Sequence, residues 1–167
     1  AVIYSELADA NFTGIGISLG GGMVNVCLSF ISVPIFNFSV TKAGDWIDQQ
    51  VAMAIDEAAS RVSAIKESSF DLSKERDLSK IESAFSIYYN HLIEYVIESI
   101  KQEFNRVGGM PGMVEPITIV LSGGTSLPKG FIQSFKQILD QLKLPVPIGE
   151  VRMAAQPLHS VAKGALI

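Results

Sequence analysis

Cysteine is nearly absent: Cys27 stands alone, so an internal disulfide and a cysteine metal cluster are both excluded, a composition that suits a reducing compartment. Histidine is almost as scarce. His91 and His159 are the only two, neither has a partner at metal or catalytic spacing, and no Ser-His-Asp or Cys-His arrangement can be supported. Positive charge is short as well. Thirteen Lys and Arg stand against 17 Asp and Glu, for a net charge of −4, and no basic stripe offers itself to a nucleic acid. Long apolar runs are missing too. The greasiest segment, Val24 to Phe38, is interrupted by Asn25, Ser29, Ser32, Pro34 and Asn37, and no stretch reaches the ~18 residues of a spanning helix.

What remains is the composition of a compact globular chain, 48% hydrophobic and 18% charged over 167 residues. That length supports one domain able to bury roughly 70% of its unfolded surface. The opening "AVIYSELA" has neither a methionine nor a signal-like basic region, which reads as a piece of a longer protein. Residues 1–8 have the pattern of the last turns of a helix. From Gly14 to Val40, β-branched and aromatic residues come in short runs punctuated by Gly20–Gly22 and Val33–Pro34. They predict three strands, at about 14–19, 23–30 and 34–41, in an antiparallel meander.

Gly44-Asp45 then opens a helix expected over about 45–66, with Ile47, Val51, Ala54, Ile55, Ala58 and Val62 on its apolar face. A polar stretch from Glu67 to Lys80 reads as a loop. A second helix, about 78–106, carries Ile81, Phe85, Tyr88, Leu92, Tyr95, Val96, Ile100 and Phe104, and "GGMPG" at 108–112 stops it. A strand at 116–121, a Gly-Gly turn, a helix at 128–142, a short strand near 146–151 and a last helix from about 157 complete the chain. The expected fold class is α/β, a five-stranded mixed sheet with three antiparallel strands first and helices on both faces.

Three glycine-marked turns are the candidate site: Gly20-Gly21-Gly22 between the first two strands, Gly44-Asp45 at a helix start, and Gly123-Gly124-Thr125-Ser126 after the fourth strand. Glycine lets a ligand approach the backbone closely, and consecutive N–H groups in such turns suit phosphate oxygens. Each also has a plain reading. Gly20–Gly22 can be a simple hairpin turn, Asp45 an ordinary first-turn acid favoured by the helix dipole, and Thr125 and Ser126 caps of the helix near Pro128. Lys80 and Glu82 read as a solvated helix face. Cys27 reads as a small hydrophobe in a core strand, and Trp46 as a plug between helix and sheet.

The stretch "TGIGISLGGGMVNVCLSF" resembles the second phosphate-binding hairpin of the actin superfamily, which also includes sugar kinases and heat-shock chaperone ATPases. "AGDWID" resembles the Gly-Asp helix start of MreB-type bacterial actins, and "ITIVLSGGTSLPKGF" is similar to the superfamily's adenosine motif. "LPVPIGEVRMAAQPLHSVAKGALI" has the layout of its closing segment. The resemblance implies a ribonuclease-H-like lobe spanning residues 1–167, the second lobe of an actin-like ATPase whose first lobe lies outside this chain. It also implies ATP with Mg2+ as ligand in the intact parent, self-assembly into filaments, and a cytoplasmic location.

The residues depart from the pattern Asp-x-Gly-x-Gly-Thr-x-Asp. Ser18 stands at the first acidic position, Met23 and Val24 at the hydroxyl positions, and Asn25 at the second acidic position. Neutral side chains there hold a metal's water shell or an attacking water poorly. Three readings follow from the resemblance: a nucleotide-binding lobe of an MreB-related protein, a scaffold module whose hydrolysis has decayed, and a small-molecule kinase of the same superfamily. Whether the parent is an enzyme stays open at this point, and no catalytic residue is assigned.

Overall fold

The computed structural model describes residues 1–108 and 115–166. The three meander strands form as β1 (Gly14–Leu19), β2 (Val24–Phe30) and β3 (Val33–Val40), and two later strands join them as β4 (Ile117–Ser122) and β5 (Ile148–Met153). The sheet order is β3-β2-β1-β4-β5. Pairs β1–β2 and β2–β3 are antiparallel, while β1–β4 and β4–β5 are parallel. Strands β1 and β4 sit in the middle, so their C-terminal ends, the beginnings of two glycine turns, emerge side by side.

Alternation along β1 fixes the two faces. Ile15, Ile17 and Leu19 are fully buried in the larger core, together with Val24, Val26 and Leu28 of β2 and Ile119 and Leu121 of β4. That face is covered by α2 (Gly44–Ile55), α4 (Lys80–Arg106) and α5 (Phe131–Leu142), with α3 (Ala59–Ser69) beside α2. The opposite face is covered by α1 (Val2–Glu6) and α6 (Ser160–Gly164). There Val2, Ile3 and Leu7 meet Val120 and Ala154 in a much smaller cluster. Arg152 fastens α1 down by donating to Glu6 Oε2 at 2.9 Å and to the Glu6 carbonyl at 2.6 Å.

The expected helix over 45–66 is two helices. α2 ends where Asp56 takes a left-handed conformation at φ 58°, and α3 starts three residues later at Ala59. Aspartate adopts that conformation more readily than most side chains, which makes it a workable helix terminator without glycine. Ala54 and Ala58 are consequently exposed, off the apolar stripe assigned to them. The helix expected from 128 begins at Phe131, and a separate 3₁₀ turn occupies Gly124–Ser126.

α4 is the long central helix, 27 residues opened by a capping box between Ser79 and Glu82. Its buried stripe runs through Phe85, Tyr89, Leu92, Val96, Ile100 and Phe104, whereas Tyr88 is only half-buried and Tyr95 is 39% exposed. The two tyrosines flank the stripe, where one packs edge-on against Trp46 and the other lies under the Lys42 ammonium. Gly108, at φ 77°, follows the end of α4 as a left-handed glycine does after many helices. The rest of the expected stop signal, 109–112, lies outside the described residues. The β2–β3 turn falls on Ile31 and Ser32, at φ 49° and 65°, and not on the Val33–Pro34 pair.

Candidate functional site

The three sequence-predicted turns meet at one end of the sheet and are joined by hydrogen bonds. Gly44 N donates to the Gly20 carbonyl at 3.1 Å, and Asp45 N donates to the Gly21 carbonyl at 2.9 Å. Thr125 Oγ1 donates to the same Gly20 carbonyl at 2.8 Å, from a position 105 residues away. The contact is close enough to exclude a side chain: a Cβ on Gly44 would lie 2.5 Å from Thr125 Oγ1. Gly123 is required for a second reason. Its φ of 94° is left-handed, and a Cβ there would run into the Leu19 carbonyl.

These bonds settle what each turn presents. The hydroxyls of Thr125 and Ser126 both donate to backbone carbonyls, of Gly20 and Gly123 respectively, and neither caps α5, whose N-cap is Gly130. The first two N–H groups of α2 are likewise engaged. The amides of Gly21, Gly22, Gly124 and Thr125, in contrast, take no part in the backbone hydrogen bonds among the described residues. Gly21, Asp45, Gly124 and Thr125 line one cavity of about 520 Å³. Gly20, Gly22, Gly44, Gly123 and Ser126 do not line it; Gly20 accepts from the lining Thr125 hydroxyl, and Gly22 is exposed.

The far wall of this cavity is made by residues that the sequence reading did not single out. α3 contributes Ser63, Lys66 and Glu67, and α4 contributes Tyr89 from below. Lys66 Nζ lies 2.7 Å from Asp48 Oδ1 and donates to Oδ2 at 2.8 Å, with the two side chains 11% and 9% exposed. It also donates to the Gly44 carbonyl at 3.2 Å. A signal for each of the two charges was present, though none for their pairing. Lys66 falls four residues after the buried Val62, and Asp48 lies three and four residues before the buried Val51 and Ala52, so each charge sits on a stripe facing inward and needs a partner.

The Tyr89 hydroxyl is buried with no hydrogen-bond partner among the described residues. Burial, and then the negative charge of Asp48, push its ionisation well above the ordinary range, so it remains a protonated donor. Phe70 also lines the cavity, and the segment that follows it is tied to Lys129, another lining residue. Leu72 N donates to the Lys129 carbonyl at 2.8 Å, and Lys129 Nζ is 3.1 Å from Asp71 Oδ2. Hydrogen bonds from Ser73, then the Lys129 ammonium, hold the Asp71 carboxyl below its usual range.

Lys80 and Glu82 lie away from the cavity. Glu82 accepts from the Ser79 amide at 2.8 Å and from its hydroxyl at 2.6 Å, and pairs with Lys74. Ser18 and Asn25 are direct cross-strand partners and line a different cavity, about 240 Å³, on the opposite face of the sheet. Asn25 Oδ1 accepts there from Ser39 Oγ at 2.6 Å. Among the described residues, no three His, Cys, Asp or Glu side chains are grouped to hold a metal, and none of the helices is long and apolar enough to cross a membrane.

Solved structures share this architecture. A MamK double helical filament matches with TM-score 0.76 and 19% identity, over 99% of this chain and 56% of that one. MreB 5 of Spiroplasma citri bound to AMPPNP matches with TM-score 0.63 and 16% identity, over 99% and 53%. The ethanolamine utilization protein EutJ from Carboxydothermus hydrogenoformans matches with TM-score 0.65 and 18% identity, over 97% and 52%. The chain therefore spans about half the length of these proteins, and at such identities the likeness establishes an actin-like ATPase fold. No curated protein matches the chain. The Volactin family model matches residues 1–167, and the chain belongs to the Volactin family.

Proposed function

We propose that this chain is the nucleotide-binding second lobe of an actin-like, MreB-related protein that takes ATP with Mg2+. The observation that carries the reading is the meeting of Gly20–Gly22, Gly44-Asp45 and Gly123–Ser126 around a single cavity. Lining residues of two turns, Gly21, Gly124 and Thr125, have amides without backbone partners among the described residues, which suits phosphate oxygens. The bare backbone at Gly124 gives a flat surface for a ribose or base. Asp45 is the exposed carboxylate beside the hairpin turn, and one such group suffices where a Mg2+ is held mostly by phosphates and water. Structures of similar fold are bound to AMPPNP, which supports a nucleotide over other anions.

A second reading is favoured by Ser18 and Asn25: binding without hydrolysis, the fold being kept for assembly. One similar structure is a filament, and self-assembly of the intact parent, in the cytoplasm, belongs to the proposal. Nucleotide titration of the full-length parent, followed by phosphate release with and without polymerising conditions, separates the two. Saturable ATP binding with turnover supports an ATPase, and binding without turnover supports a scaffold. Absence of any nucleotide binding by the folded parent would overturn both.

A further inference from the structure

Lys66, on α3, bonds to two groups of α2, the Asp48 carboxylate and the Gly44 carbonyl. We infer that Lys66 is a positioning residue, tying the α3 wall of the cavity to the first turn of α2 and through it holding both glycine turns in place. This rests on the nucleotide reading only for what is bound. The chain of hydrogen bonds stands by itself: Lys66 Nζ to the Gly44 carbonyl at 3.2 Å, Gly44 N to the Gly20 carbonyl at 3.1 Å, and Thr125 Oγ1 to that same carbonyl at 2.8 Å. Segments around residues 20, 44, 66 and 125 are thereby linked in one run.

Two features make Lys66 more than a buried ion pair. First, α3 has little else to hold it, since Val62 is the one buried residue among its 11. A wall secured by so few buried contacts opens locally at low cost, and Lys66 is its second anchor. Second, a buried pair is commonly no more stabilising than well-packed apolar residues of similar volume. Stability alone therefore does not explain a lysine that also donates to the Gly44 carbonyl. The ammonium further neutralises Asp48, so a phosphate at the turns would face Asp45 without a second uncompensated carboxylate behind it.

The test compares three variants of the full-length parent. Lys66→Met alone leaves the Asp48 charge stranded, which can unfold the protein. The deciding variant is therefore the double replacement Asp48→Leu with Lys66→Met, and Lys66→Arg is the conservative control. Hydrogen exchange reads the Gly44 and Asp45 amides without any ligand. Calorimetry reads ATP with Mg2+ against adenosine.

In the double variant the thermal midpoint is expected to hold while the Gly44 and Asp45 amides exchange about tenfold faster. ATP affinity should fall about tenfold and adenosine affinity by less than about threefold, as loss of a charge-assisted hydrogen bond at the phosphate end implies. Lys66→Arg should retain the protection and most of the ATP affinity. Unchanged amide protection in the folded double variant would overturn the inference, as would equal losses for ATP and adenosine. If the wild-type parent binds neither ligand while the amides still respond, the positioning role stands and the nucleotide reading fails.

Discussion

On one face of the sheet, α2, α4 and α5 bury Phe85, Tyr89, Phe131 and Phe135 almost completely, and this core supports the walls of a 520 Å³ cavity. On the other face, two five-residue helices cover a small cluster, and Gly16, Ser18, Asn25, Cys27, Asn37 and Ser39 are left around a shallower space. The two faces share the same strands, so the difference comes from alternate residues of β1 and β2. Large side chains on one side give a rigid support for a site, whereas small polar ones on the other leave room without a built binding surface. The two positions at which the resemblance calls for acidic groups, Ser18 and Asn25, fall on that second face. The larger cavity and the two neutral positions, Ser18 and Asn25, are thus physically separate features.

The strongest challenge to this comparison is to remove a side chain from each face. Phe85→Ala, from a site with 0% exposure, is expected to cost about 3–5 kcal/mol. Cys27→Ala, on the half-buried far face, should cost about 1 kcal/mol or less. Urea denaturation of the two variants measures both, and equal losses would erase the distinction. The Cys27 thiol, pushed upward by burial, should also react slowly with an alkylating reagent at neutral pH.

A smaller effect is expected within the cavity. Gly124 does not have a left-handed φ, and a Cβ there meets only Leu158 Cδ2 at 3.7 Å. Gly124→Val should leave the fold intact and weaken nucleotide binding of the full-length parent about tenfold, or about 1.4 kcal/mol. Unchanged affinity in a well-folded variant would make the turn a structural corner only.

Acid should sharpen the contrast between the site and the solvated start of α4. The Ser79 hydroxyl and amide, then Lys74, hold the Glu82 carboxyl down from 4.5 to about 2. A depressed folded-state value means that the capping contribution is fully present above about 4.5. It is lost as pH falls through about 2. Fraying of residues 79–83 between those limits, read by hydrogen exchange, should precede any change at the Gly44 amide. Glu82→Gln should remove most of this acid dependence.

The smallest expected signal is none. The 167-residue chain alone should release phosphate from ATP and Mg2+ no faster than buffer, and bind ATP only weakly. Phosphoryl transfer needs charge aimed at the γ-phosphate from several directions, and the cavity offers one side. Clear turnover, or micromolar binding by calorimetry, would show that a single face is enough.

Much of this was legible in the sequence because it is local chemistry. Short β-branched runs in "GIGISL" and "VNVCLSF" mark strands, the stripe through Phe85, Leu92 and Phe104 marks a helix, and glycine pairs mark the places where backbone must come close. The break at Asp56 and the left-handed Ile31–Ser32 turn were not legible, because neither uses the residue type that usually signals such a conformation. Nor was the alliance of Asp48 with Lys66, which lie 18 residues apart on two helices. Local periodicity determines which faces are buried and where the chain can bend. Which buried charge finds which partner, and which turns share a cavity, depends on how whole elements pack, and only the tertiary structure decided that.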